Sequence, residues 1–431
     1  MDKRAIAAWC CYDWGITAGP VVIDTFIFSV YFTRSVAPSP EQGTAAWGQA
    51  LAVAGVLVAV LSPLLGAIAD RAGRRKPWIA LFTAITVVAT ATLFWVMPAP
   101  SSMPLALVAM ALAVVARELA MVFYNAMLPD LVPRDHIGRL SGWGWAAGYL
   151  GGIGCLLVAL FGLVKGNPPL FGLVGIADLE NIRAAAPLAA LWFAVFALPL
   201  FLFVPDRAAT GIGGRRAVVE GGLMLARTVR EARKYRDIGM LLVASALFRD
   251  GLATLFAFGG IYAAGSFGMS FQEILLFGLA LNATAAAGAA GFAWIDDRIG
   301  AKPTILLSLS ALLGFGTGIL LVHDKEWFWG LALGLGVFVG PVQAAGRSLL
   351  SRMAPAGMVT EMFGLYSLSG RAAAFLGPLA LGTATAAFAS QRAGMATILG
   401  FFLAGLLLML TVRVPPEAAT RAPASGPADI A

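Results

Sequence analysis

Eight charged side chains interrupt stretches of this chain that are otherwise apolar: Asp13, Asp24, Arg117, Glu118, Arg249, Asp250, Arg347 and Arg371. A charge at a bilayer centre costs roughly 2.5–3.5 kcal/mol on insertion scales, so each must face a cavity or an opposite charge. Acids and bases balance, and two kinds of chemistry can use that balance. A guanidinium fork binds a solute carboxylate while an acid holds an amine or a proton. Alternatively, acid–base pairs break and remake as two parts of the molecule rock. A carboxylate in low dielectric binds its proton tightly and an adjacent guanidinium opposes this, so a solute competing for the guanidinium lets the acid protonate. Asp13, Glu118 and Asp250 are the proton-site candidates. The rival reading is static packing, with the charges of Arg117–Glu118 and of Arg249–Asp250 held in fixed ion pairs between helices. On that reading Arg347 snorkels or gates, and Asp24 bonds neighbouring hydroxyls.

The elements that must position these groups are long and apolar. The chain has 431 residues, of which 59% are hydrophobic and 12% charged, with a mean hydropathy of +0.84. A soluble domain has about a quarter of its residues charged, so most of this surface must face lipid. About twelve spans fit, at roughly 5–33, 45–69, 76–97, 103–127, 140–164, 184–204, 238–264, 271–295, 302–322, 326–351, 360–389 and 392–412. Barrel strands would alternate polar and apolar residues. The fold class expected is therefore an all-α membrane protein. The first span is too long for a signal peptide and contains Asp13 and Asp24, so the N-terminus is expected to be retained.

Cys10, Cys11 and Cys155 fall in spans, and His136 and His323 in loops. Neither a disulfide framework nor a metal site is expected, and no cofactor. No Gly-x-Ser-x-Gly turn or nucleotide loop is present, which argues against an enzyme or an ATP-driven pump. The net charge of +7 follows membrane topology rather than nucleic-acid binding. Lys3, Arg4, the 71–76 cluster, Arg134, Arg139, eight basic residues between Arg207 and Arg236, Arg298, Lys302, Arg352, Arg413 and Arg421 fall on one side. That is about 21 basic residues against about 5, which predicts cytoplasmic termini in a plasma (inner) membrane. The expected organisation is a bundle over 1–204, a cytoplasmic linker over 205–237, a second bundle over 238–414 and a disordered tail over 415–431. Val218, Gly222, Leu225 and Val229 recur at helical spacing, which fits an amphipathic helix on the inner leaflet or a solvated basic linker.

The two halves repeat. Asp70-Arg71-Ala72-Gly73 before Lys76-Pro77 matches Asp297-Arg298-Ile299-Gly300 before Lys302-Pro303. Pro133, Gly142 and Gly148 match Pro355, Gly364 and Gly370 at one offset, and Asp13 is paired with Asp250. Parallel six-span repeats imply two pseudo-symmetric bundles around a central cavity. Gly66, Asp70, Arg71, Gly73 and Arg74, with Asp297, Arg298 and Gly300, form a charged turn suited to pairing between bundles and holding one conformation.

The run Gly66 to Lys76 resembles the loop 2–3 signature of the major facilitator superfamily. Trp9 to Asp13 with Phe26 to Thr33, Val122 to Leu131, Arg139 to Gly152, Arg249 to Gly251 and Gln343 to Pro378 are similar to one branch of it. That branch comprises the autophagy-related vacuolar amino-acid effluxers and their bacterial relatives. The resemblance implies a major facilitator fold, small-molecule efflux, and a pathway lined by spans 1, 4, 7 and 10. Those spans hold seven of the eight charges. This chain departs from the branch's pattern at Gly15-Ile16-Thr17, Arg249 and Arg371, where a solute would bind.

Helical phase refines the candidate set. Asp13 and Asp24 share a face; Arg117, Met121 and Tyr124 form one stripe; Glu118, Val122 and Asn125 form the next; Gln343 and Arg347 are one turn apart. By depth, Arg117, Glu118, Arg249, Asp250 and Arg371 sit near the midplane, Arg347 nearer the cytoplasm and Asp24 in the outer half. Tyr12, Trp14, Tyr124, Trp143, Trp145 and Tyr366 are candidate cavity walls or packing residues. The leading expectation is a monomeric secondary transporter of a small polar or zwitterionic, amino-acid-like solute, working by proton-coupled efflux. The alternatives are sugars, peptides or amphiphilic compounds as cargo, or a membrane receptor or structural subunit without transport.

Overall fold

The computed structural model describes residues 2–211 and 214–415 and is entirely helical among them. Eleven stretches are long and apolar enough to cross a membrane. They are span 1 (Lys3–Val36), span 2 (Gln42–Ala72), span 3 (Lys76–Trp95), span 4 (Pro100–Leu131), span 5 (Arg134–Val164), span 6 (Ala177–Phe203), span 7 (Arg236–Phe267), span 8 (Leu276–Ile299), span 9 (Ala301–Leu321), span 10 (Lys325–Met353) and span 12 (Gln391–Thr411). Span 11 is the twelfth, in two pieces, Val359–Ala373 and Leu376–Phe388. The protein is a multi-pass integral membrane protein.

The break in span 11 has a local cause. Pro378 has no N–H, and its ring crowds the carbonyl of residue 374. The Gly377 N–H, in the first turn of the second piece, donates to Asp250 Oδ2 of span 7 at 2.7 Å, so that turn is capped from another span. Span 1 is irregular as well: a π-helical run, Gly19–Phe26, follows its α-helix Lys3–Ile16. Pro20 withdraws one backbone donor there.

Two apolar cores form. One runs from Ala8 to Val204. The other runs from Ile238 to Val412 and takes in Val122 and Ala126 of span 4. The halves meet along two seams, span 2 against span 11 and span 5 against span 8. A Cβ on Gly364 would fall 2.5 Å from the Ser62 carbonyl, and one on Gly142 2.6 Å from the Ala289 carbonyl. These two glycines, matched in the sequence repeat, let each seam close at the same place.

A linker helix, Gly214–Arg230, packs on span 2, with Gly221 against Ile68. Its buried face is Ala217, Met224 and Thr228, while Val218 stays exposed. The stripe Val218, Gly222 and Leu225 thus lies beside the packed face rather than on it, and the Val229 side chain lies outside the described residues. The expected tail lies almost wholly outside them. The linker helix, the start of span 1 at Lys3 and the end of span 12 at Thr411 share one end of the molecule, the linker end.

Candidate functional site

The linker end is shut by two copies of one device. Gly73 (φ 87°) and Gly300 (φ 94°) turn the chain out of spans 2 and 8 through left-handed conformations that favour glycine. Asp70, just before the first turn, accepts from Thr360 Oγ1 at 2.6 Å and from the Glu361 N–H at 2.9 Å. Asp297, before the second, accepts from the Arg139 N–H at 3.1 Å and pairs with its Nε at 3.3 Å. Each carboxylate thus sits at the N-terminus of a helix from the other half, where orphan amides favour negative charge. Arg139 and Glu361 occupy matched positions of the repeat.

Further charges tighten the first copy. Arg75 donates from Nε to Thr360 Oγ1 at 3.1 Å and from Nη1 to Asp130 at 2.5 Å. Arg207 forks onto Asp130 at 2.7 and 2.6 Å. Hydrogen bonding to Asp130 pushes the Arg207 guanidinium above its ordinary value, whereas burial lowers that of Arg75. In the second copy Arg352 lies 3.2 Å from Asp296 and 3.4 Å from Asp297. Gly66 lies against Thr360, and Arg71, Arg74 and Arg298 are exposed.

One layer deeper, Arg347 of span 10 plugs the space between the halves. It donates to Ser141 Oγ at 2.9 Å, to the Ser141 carbonyl at 2.6 Å, and to Asp13 and Asn125 at 3.2 Å each. Its guanidinium stands 5.0 Å from the Trp9 ring and 5.8 Å from that of Trp145. Arg347 and Asp13 are only 3% and 5% exposed. Spans 1, 4, 5 and 10 are tied at this one side chain.

The next layer is wetter. Arg371 of span 11 meets Glu118 of span 4 at 2.6 Å, with 28% and 29% of the two side chains exposed. Gln343 donates to the Tyr149 hydroxyl at 2.9 Å. The Arg249 guanidinium lies 4.4 Å from the Tyr366 ring, and its buried Nη1 has no acceptor among the described residues. Arg117 pairs with Asp24 at 2.5 Å within the first half. Among the described residues, polar contacts between the halves lie at this level or on its linker side. Beyond it, Arg183 reaches Met97, and Arg392 reaches Leu320 and Val322, each within its own half. The polar contacts that join the halves among the described residues are thus gathered at and just above the linker end.

The placement sorts the sequence-derived candidates. The stripe Glu118, Val122 and Asn125 faces the second half, whereas Arg117 and Tyr124 face span 1. Tyr124 is fully buried, stacked on Trp9 at 4.3 Å and Tyr12 at 4.8 Å, so Tyr12 and Tyr124 are core residues of the first half rather than cavity walls. Arg117 and Glu118 each form an ion pair with another span, Asp24 and Arg371 in turn, whereas Arg249 lies on the Tyr366 ring and Asp250 accepts from Gly377; adjacent helical residues do not face each other. Asp13 and Asp250 also differ. Asp13 crosses to the second half, whereas Asp250, 3% exposed, accepts from Gly377 inside its own half. Thr360, Glu361, Asp130, Asp296 and Arg352 do not stand out in the sequence. They lie at span ends near the water boundary, where polar and charged residues are ordinary and carry no signal of pairing across the halves.

Asp250 behaves as a helix cap supplied from another span. Asp250→Asn keeps an acceptor for Gly377 and is expected to keep both stability and transport. Asp250→Ala is expected to lose about 1 kcal/mol, the usual cost of a lost cap. Thermal unfolding of the purified variants, together with solute flux, reads both.

This architecture has known counterparts. A family model described as "Vacuole effluxer Atg22 like" matches residues 42–138 and 134–421. An uncharacterized MFS-type transporter, YxiO of Bacillus subtilis (strain 168), is 24% identical over 96% of this chain and 95% of its own length. Autophagy-related protein 22-1 of Penicillium rubens is 25% identical over 64% of this chain, a match spanning 49% of that longer protein. The solved structure of the proton:xylose symporter XylE superposes with a TM-score of 0.73 at 14% identity, covering 94% of each chain. The chain is a major facilitator secondary transporter of a small solute, and it belongs to the Atg22-like vacuole effluxer family.

Proposed function

We propose that the chain moves a small carboxylate-bearing solute, an amino-acid-like zwitterion or organic anion, together with a proton carried on Glu118. The observation that carries this is the partly exposed Glu118–Arg371 pair, which joins the two halves at the outermost level of their polar contacts. A solute carboxylate can replace Glu118 on the Arg371 fork, leaving Glu118 free to take a proton. Arg249, with an unfilled donor in the same layer, adds positive charge that favours an anionic group. Membership of an effluxer family favours outward movement, and the basic linker end favours cytoplasmic termini. Proton coupling also has support in XylE, a proton:xylose symporter of the same fold.

A second reading is a neutral hydroxylated solute such as a sugar. The Gln343 amide and Tyr149 hydroxyl are uncharged hydrogen-bonding groups of the kind such a cargo uses, and they lie at the level of Glu118. Proteoliposomes under an imposed pH gradient separate the two. Labelled amino acids and small organic acids are expected to move with the gradient, and sugars are not. Gradient-driven sugar flux without carboxylate flux would establish the second reading, and no flux of any class would refute both.

A further inference from the structure

A cavity of about 520 Å³ opens on the outer wall of the first half, at the linker end, between spans 3 and 6. Arg74, Lys76 and Arg207 stand at its rim; Pro77, Ala80 and Phe201 form its apolar wall; Asp206 completes it. Its level is set by the spans themselves, since span 3 begins at Lys76 and span 6 ends at Phe203. The rim therefore lies at the boundary between hydrocarbon and water, and the apolar wall just inside it.

The charges at the rim are not equivalent. Asp206 is saturated, accepting from the backbone N–H groups of Arg75 (3.0 Å), Lys76 (3.2 Å) and Arg207 (2.9 Å). Arg207 is held by Asp130. Lys76 spends one of its three donors on the Phe201 carbonyl at 3.0 Å. Arg74 is exposed and, among the described residues, makes no hydrogen bond or ion pair. The rim thus presents a free guanidinium and a partly free ammonium, with its acid already occupied.

Below the rim the wall continues as lipid-facing surface. Leu81 and Val88 of span 3 are 51% and 65% exposed, and Leu198 and Leu191 of span 6 are 56% and 62% exposed. Spans 3 and 6 pack side by side, so the exposed residues flank one apolar seam.

We propose that this cavity is a binding site for an anionic phospholipid, with the phosphate on Arg74 and Lys76 and the acyl chains along the span 3–span 6 seam. Basic pockets between spans at this level suit anionic head groups, and a chain-bearing ligand also uses the apolar wall. A soluble phosphate would leave that wall unfilled. The site adjoins Arg75, which bonds Thr360 across the halves. An occupied cavity restrains the 73–75 turn and favours the state closed at the linker end.

The test compares phosphatidylglycerol with phosphatidylcholine of the same acyl chains, added to the purified full-length protein in detergent. Thermal unfolding and native mass spectrometry are the readouts. Phosphatidylglycerol is expected to raise Tm and to persist as a bound adduct, and phosphatidylcholine to do neither. Arg74→Glu and, independently, Ala80→Trp are expected to remove that preference while leaving the lipid-free Tm unchanged. Arg298→Glu, at the same end but outside the cavity, is expected to retain it. Equal effects of the two lipids would overturn the proposal, as would an undiminished preference in both Arg74→Glu and Ala80→Trp. An equal Tm rise with inorganic phosphate alone would assign the site to a free anion and overturn it too.

Discussion

Glu118→Gln is expected to abolish accumulation driven by a pH gradient while leaving solute counterflow intact. One pH unit is worth about 1.36 kcal/mol per proton, so a carrier coupled one to one concentrates its solute about tenfold under a one-unit gradient with the membrane potential clamped. Gln keeps the size and polarity of the side chain but carries no exchangeable proton in this range. Arg371, 2.6 Å away in the wild type, keeps a hydrogen-bond acceptor and remains able to receive a carboxylate. The expected accumulation ratio is therefore unity, with exchange of labelled for unlabelled solute still running. An undiminished ratio in Glu118→Gln proteoliposomes would exclude Glu118 as the coupling acid. Counterflow is what separates uncoupling from misfolding, because a misfolded carrier loses both activities.

Arg347→Ala is expected to open the linker end. Removing the guanidinium leaves Asp13 buried, at 5% exposure, without its cation. Breaking a buried pair from one side costs about 3–5 kcal/mol, mostly through the charge left behind. Ser141 and Asn125 lose their shared partner as well. Opening the linker end lets water reach Asp13 and recovers much of that penalty, so the cost falls selectively on the closed state. About 3 kcal/mol corresponds to a shift of more than a hundredfold between two states. Spin labels at exposed positions 71 and 356, on opposite halves at this end, are expected to report a longer mean distance in the variant. The double replacement Asp13→Asn with Arg347→Gln removes both charges and is expected to return much of the population to the closed distance. If Arg347→Ala left both the distance distribution and the Tm unchanged, Arg347 would not be a plug between the halves.

Several features are legible in the residues because they depend on local pattern. Unbroken apolar length marks the spans, since a bilayer offers backbone groups no partner outside a helix. Phase along span 4 separates Glu118 and Asn125 from Arg117 and Tyr124, because side-chain direction in a helix follows directly from position. The repeat points to Gly142 and Gly364, and the structure puts each on its own seam.

Partnership between charges is not legible in this way. Glu118 and Arg371 lie far apart in the chain, as do Asp13 and Arg347, and nothing local in sequence selects one buried acid over another as a partner. Sequence neighbours are the wrong guide, since consecutive side chains diverge around the helix. The break in span 11 is hidden for a similar reason. Pro341 and Pro199 sit inside unbroken helices of the same protein, whereas Pro378 follows a break at which Asp250, from span 7, takes the amide beside it. The eight intramembrane charges are therefore determined by sequence as a set, because their cost in lipid shows in any single span. Which of them plugs, which couples and which merely caps is decided by tertiary structure, because those roles depend on the distance between helices that only packing establishes.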